Sequence, residues 1–356
     1  MRDGSTEFPA PFTRRKLLSV ALAGAGALQI GRASGLAPSD ARAPFRIDVH
    51  HHLSPPKWIE ELSKVKLGNR PAYDWTPERS IDDMDRAGIA VSMTSITTPA
   101  TSFLAKDTAR VIARECNDYA ARLRDDYKGR FGIFVSLPLP DVDGALAEIA
   151  YGFDILKADG VAMLTSYGDR WLGSNQFAPV FDELNRRKAI VHTHPTSADC
   201  CRNLMPQLPD QLIEWGTDTT RAIADIVVSG AARRYRDIKF IFSHAGGTMP
   251  FLAERLINAA RLAPTAAQKE ALNASAPNGF EAEIKRFFYD TAQATHPAPL
   301  SALLRLIPVS QIVFGTDFPY RSGVEGVEGL AAYGISTADI MAIERGNALN
   351  LMPQWA

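Results

Sequence analysis

From residue 45 onwards, short runs rich in β-branched and aromatic residues alternate with longer stretches whose apolar positions recur at helical spacing. The short runs are Phe45–Val49, Ala90–Ile96, Phe131–Leu137, Val161–Thr165, Ala189–Thr193, Lys239–Ser243, Phe287–Thr291 and Gln311–Gly315. Apolar runs of this length read as strands, and what lies between them reads as helices. The helical stretches include Ile81–Ala87, Asp107–Tyr127, Asp141–Leu156, Phe177–Arg187, Thr219–Arg234 and Pro250–Ala260. Asp141 heads one of them, placing a carboxylate at the positive end of a helix dipole. Strands that alternate with helices imply parallel βαβ units, and eight such units imply a closed (β/α)8 TIM barrel of the α/β class. An open doubly wound sheet would bring a glycine-rich phosphate turn after its first strand. His50-His51-His52-Leu53 stands there instead.

The first 43 residues follow a different pattern. Thr13-Arg14-Arg15-Lys16-Leu17-Leu18 precedes a mild Ala- and Gly-rich run from Ser19 to Ile30. Paired arginines before a weakly apolar stretch read as a twin-arginine signal peptide, with cleavage after Ala33 or Ala43. The run is shorter than the roughly 20 apolar residues a membrane span needs. The sequence therefore predicts a signal and linker over 1–43 and one barrel domain over 44–356. It also predicts a periplasmic or secreted location without stable membrane association. A formal net charge of -1 excludes a basic nucleic-acid surface and leaves a small molecule as the expected partner. Cys116, Cys200 and Cys201 offer no Cys-x-x-Cys spacing, so no structural zinc ribbon is expected.

Barrel enzymes act at the C-terminal ends of their strands, and that rule sorts the seven histidines. His50 and His52 close the first strand two residues apart, on one side, with His51 on the other. The fifth strand ends in His192-Thr193-His194-Pro195, the sixth in Ser243-His244-Ala245-Gly246-Gly247, the eighth in Gly315-Thr316-Asp317-Phe318-Pro319. Histidine or aspartate at four strand ends points to a metal centre in the barrel mouth. His192 lies one layer deeper than His194 and is the alternative ligand from that strand.

These segments, with Ile47-Asp48-Val49-His50-His51-His52 and Gly346-Asn347-Ala348, resemble the amidohydrolase superfamily from about residue 45 to the end. The branch is that of aminocarboxymuconate-semialdehyde decarboxylase. Ser136–Asp141 and Phe181–Ala189 look most like 6-methylsalicylate decarboxylases. The resemblance implies His50, His52, His194 and Asp317 as ligands of one divalent ion, Zn2+ or Mn2+, with the unliganded His244 and the ligand Asp317 as the catalytic residues. Two-metal relatives bridge their ions through a modified lysine on the fourth strand, and Gly160–Ser166 holds no lysine.

The resemblance implies a non-oxidative decarboxylase of a small anionic aromatic acid. A hydrolase of a lactone or related cyclic ester is the alternative, because the same ligands serve both. Imidazole titrates near neutral pH, so His244 can carry the proton that replaces the carboxylate. Arg255, Arg70 and His296 are the candidate substrate contacts, and Arg221 is a further cation beside the site. In similar decarboxylases the arginine matching Arg255 reaches a neighbouring subunit's site, which implies a homodimer. Thr196 follows the His-Pro pair where the semialdehyde enzyme carries an aromatic residue, which points to a salicylate-type substrate.

Overall fold

The structure is a computed structural model that describes residues 45–356; the expected signal and linker lie outside the described residues. Eight strands form one parallel sheet: β1 Arg46–His52, β2 Ile89–Ser95, β3 Phe131–Ser136, β4 Gly160–Leu164, β5 Ile190–His194, β6 Lys239–Phe242, β7 Phe288–Asp290 and β8 Ile312–Val313. Each pairs with its neighbour in sequence. The last segment returns to the first through Val49 N–H to Phe314 O at 2.9 Å and His52 N–H to Phe318 O at 2.8 Å. With this closure the sheet becomes the expected barrel, and its free edge disappears.

Two apolar clusters divide the interior. Ile47, Val49, Phe134, Ile190, Ile241 and Val313 fill the barrel, with Ala348 and Met352 of the C-terminal segment packed against them. The larger cluster lies between sheet and helices, with Trp58, Phe131, Phe181, Phe240 and Phe314 fully buried. Strand bounds match the expected ones to within two residues, except that β1 runs three residues past Val49, to His52. The expected Thr219–Arg234 helix starts earlier, at Glu214, and breaks after Val228, where Gly230 takes φ 81°. Asp141 stands at the N-cap of the Val142–Asp154 helix, its carboxylate held by Arg110 and Lys106.

The loops above the strands carry the irregular backbone. His244, Ala245, Gln293 and Asp317 all have φ between 51° and 67°. Left-handed backbone costs a non-glycine residue about 1 kcal/mol or more, and persists where surrounding contacts dictate it. Gly247 is a different case. Its φ of 65° with ψ −128° suits glycine alone, and a Cβ there would meet Gly216 O at 2.1 Å.

Candidate metal centre

His50 and His52 reach the mouth of the barrel by way of a register irregularity in β1 between Asp48 and His51. Ile47 and Val49 face the inner cluster, so strict alternation would have turned His50 away. The irregularity swaps sides. His51 points outward, with Nδ1 3.1 Å from Asp48 and Nε2 2.9 Å from Ser80 Oγ. This Asp-His-Ser chain is sealed, with His51 1% and Ser80 0% exposed, and Trp75 Nε1 also donates to Ser80. His51 is structural.

The tautomers of the remaining imidazoles follow from their partners. His50 Nδ1 lies 2.8 Å from Asp290 Oδ2, His52 Nδ1 3.2 Å from Ser95 O and His244 Nδ1 3.0 Å from Ala292 O. Each partner only accepts, so each Nδ1 carries the hydrogen and each Nε2 of a neutral ring is a bare lone pair. His50 Nε2 and His52 Nε2 nevertheless sit 3.1 Å apart, and lie 3.3 and 3.0 Å from Asp317 Oδ1. His194 Nε2 is 4.0 Å from the same oxygen. A tetrahedral ion with bonds of about 2.0–2.1 Å holds its ligand atoms about 3.3 Å apart. The donor set fits a cation. Without one, a proton on His50 Nε2, favoured by Asp290 and Asp317, takes the place of a cation among these acceptors.

His244 belongs to the same constellation: single ligand atoms of His50, His194, His244 and Asp317 all lie within 4.8 Å of one another. That grouping takes in His244 and leaves out His52. His52 approaches the centre more tightly by the distances above, and His244 is only half-buried, whereas the other four are 1–4% exposed. His192 lies deeper, stacked on Phe134, with Nε2 3.1 Å from Asp290 Oδ2.

Electrostatics agree with a cation-ready site. Burial pushes His194 well below its ordinary pKa, lowers His52, and takes His192 down to about 4. Burial opposes protonation of His50 too, but Asp290 and Asp317 outweigh it and hold this imidazole up at about 10. Asp317 stays ionised far into acid despite its burial, because His50 and His52 surround it.

Three supporting residues escaped the sequence reading. Asp290, at the end of β7, accepts from His50 and His192 through Oδ2, and from the backbone N–H of His244 and Ala292 through Oδ1 at 2.8 and 3.1 Å. Gln293 donates to the outer oxygen of Asp317, leaving Oδ1 for the centre. Tyr320 packs edge-on against His52 at 5.9 Å, and burial beside Asp317 pushes its hydroxyl up to about 12. An aspartate within the expected seventh strand was the one available signal.

Beside His194 opens a cavity of about 700 Å3. Thr98, 3.0 Å from His194 Nδ1, and Trp215, edge-on to its ring at 5.8 Å, form the shared wall. Arg70, Arg255 and His296 do not line this cavity, and His296 borders a second one with Gln293, Gly315 and Thr316. Arg70 is 90% exposed and paired with Asp74 at 2.9 Å. Arg255 is exposed on the Met249–Ile257 helix. His296 is exposed and caps the Pro297–Leu306 helix, accepting from Ala298 N–H at 3.3 Å. Arg221 sits 5.9 Å above the Trp171 ring, with one buried guanidinium nitrogen lacking a partner.

A family model described as Amidohydrolase matches residues 47–353. The chain belongs to the amidohydrolase family. It is 36% identical over 333 residues to "Decarboxylase yanB" of Aspergillus niger, covering 87% of this chain and 88% of that one. It is 33% identical over 320 residues to "6-methylsalicylic acid decarboxylase" of Penicillium expansum, covering 87% and 96%. Among solved structures, a dihydroxybenzoic acid decarboxylase from Polaromonas, with bound manganese and 2-nitroresorcinol, matches the fold at TM-score 0.72 and 19% identity, over 86% and 96% of the chains.

Proposed function

We propose that this amidohydrolase is a metal-dependent, non-oxidative decarboxylase of a small salicylate-type aromatic acid. The observation that carries the reading is the convergence of ligand atoms from His50, His52 and Asp317 at 3.0–3.3 Å, beside a cavity that readily admits an aromatic ring. The relatives' names give the reaction class. His50, His52, His194 and Asp317 would hold a divalent cation, which would supply positive charge to anchor such an acid. Trp215 offers an aromatic edge to the ring.

His244 is the proton carrier. Its Nδ1–H is committed to Ala292 O, so Nε2 takes up and releases the mobile proton. Delivery to the ring carbon that bears the carboxylate, followed by C–C cleavage, yields CO2 and the arene with that proton in place. Asp290, through the His244 backbone N–H, fixes where the imidazole stands. A lactonase would use the same ligands, but the relatives named above are decarboxylases and the hydrolytic alternative is not favoured.

Three finer readings accompany this one. Three imidazoles and one carboxylate suit Zn2+, with Mn2+ as the second choice. Phe251 at 70% and Leu262 at 58% exposure, before and after Arg255 on consecutive helices, are apolar side chains open to a partner, which supports a homodimer. Arg14-Arg15 ahead of the Ala-rich run supports export to the periplasm or medium. The deciding experiment is CO2 release from hydroxybenzoates by metal-loaded protein. Lactone turnover without CO2 from any salicylate-type acid would overturn the proposal. Elemental analysis, sedimentation and cell fractionation test the three finer readings in turn.

A further inference from the structure

The cavity beside His194 is larger than the proposed chemistry requires. Its volume of about 700 Å3 lies within the roughly 300–1,000 Å3 that surrounds drug-sized ligands, several times what a one-ring acid fills. The surplus lies under the loop after β5, which contributes Ser197, Arg202, Asn203, Gln207 and Gln211 to the wall. These side chains present hydrogen-bond donors.

Two of them are unusually placed. Ser197 is 6% exposed, and its hydroxyl is buried without a hydrogen-bond partner. The hydroxyl has almost no accessible surface and meets a ligand only by turning about its Cα–Cβ bond; leaving it unpaired costs about 1–3 kcal/mol, which favours that turn. Arg202 adjoins it, with Nε donating to Ser197 O at 3.1 Å and Nη2 2.8 Å from Asp199 Oδ1. Both members of that ion pair are 57% exposed, so it is weak and yields readily to a ligand. Asp210, also in the wall, accepts from Asn203 N–H at 2.9 Å. The carboxylates of Asp199 and Asp210 therefore offset the arginine charge, and the outer cavity is rich in donors without being positive.

We propose that Ser197 and Arg202 form a second subsite for an uncharged, hydrogen-bond-accepting substituent on the aromatic acid, such as an acyl or hydroxyalkyl chain. The substrate class is then an extended salicylate rather than salicylate itself. This rests on the decarboxylase reading for the acid's orientation, and binding tests it separately from turnover.

The experiment is calorimetric titration of the metal-loaded protein with salicylate, with its 4-, 5- and 6-acetyl derivatives, and with the corresponding carboxylated acids. At least one acetyl derivative is expected to bind ten-fold or more tightly than salicylate. That ratio is expected to fall towards one in Arg202→Gln and to drop at least three-fold in Ser197→Ala. No acetyl acid exceeding salicylate, a ratio that survives both substitutions, or a stronger preference for the carboxylated acids would each overturn the subsite. Parallel CO2 measurements report on the decarboxylase reading. Tight binding of an acetyl acid without CO2 would sink that reading and leave the subsite standing.

Discussion

Asp290→Asn is expected to weaken metal binding although residue 290 is no ligand. Four donors point at this buried carboxylate: His50 Nδ1–H, His192 Nε2–H and the backbone N–H groups of His244 and Ala292, at 2.8–3.1 Å. A carboxylate accepts all four, whereas an amide offers one oxygen and turns an NH2 group towards the other pair. If the NH2 faces the imidazoles, His50 must bare Nδ1 and protonate Nε2, which removes it as a ligand. If it faces the backbone, two N–H groups lose their acceptor and the turn that seats His244 is pushed away. Loss of an outer partner of a metal-bound histidine costs about 10–100-fold in affinity, or roughly 1.4–2.8 kcal/mol. The charge-assisted bond to His50 contributes a similar amount, about 1.5–3 kcal/mol. Competition with a chelator of known affinity measures the effect on Zn2+ or Mn2+, with circular dichroism to check folding. A folded Asp290→Asn protein that binds either ion within two-fold of the parent would refute the reasoning.

Other outcomes follow from the same geometry. His244→Gln is expected to lower kcat for CO2 release by about 10²–10⁴-fold while metal content, read by elemental analysis, stays within error of the parent. Chelation is expected to abolish turnover and lower the melting temperature, since a bound ion stabilises only the folded site; an unchanged melting curve would count against His50, His52 and Asp317 as ligands. Asp141 gives a pH signature: the Arg110 guanidinium takes its carboxyl from an ordinary 3.8 down to about 2. A depressed carboxyl stabilises the fold above its unfolded pKa, and the contribution disappears as pH falls through the folded one. The parent should therefore exceed Asp141→Asn by on the order of 1 kcal/mol at pH 6, allowing for solvent screening, with the gap closing between pH 4 and 2 in denaturant titrations. His296→Ala is expected to cost about 0.5–1 kcal/mol of stability through its helix cap, with kcat/KM unaltered; a large fall in kcat/KM would restore it as a substrate contact.

What the sequence determined by itself was the set of strand ends. Alternation of apolar runs with helical stretches dictates a barrel. Once a barrel is specified, His50, His52, His194, His244 and Asp317 must share its mouth, because each ends or follows a strand. That inference needs only local periodicity and a topological rule. Tertiary structure decided what depends on contacts between distant segments. Asp290 meets His50 across 240 residues, and no local pattern marks one strand aspartate as the group that fixes a histidine's tautomer. The irregularity that turns His50 inward exists only in the register between β1 and β2, and simple alternation reached the right pair by a route the backbone does not take. The arginines show the same limit: Arg255 rested on the resemblance and Arg70 on its place in the loop after the first strand, and neither reading could reveal that Arg202, in the loop after β5, lines the cavity. Which cation a cavity receives depends on the path of the chain through space, and that path is set by packing of the whole barrel.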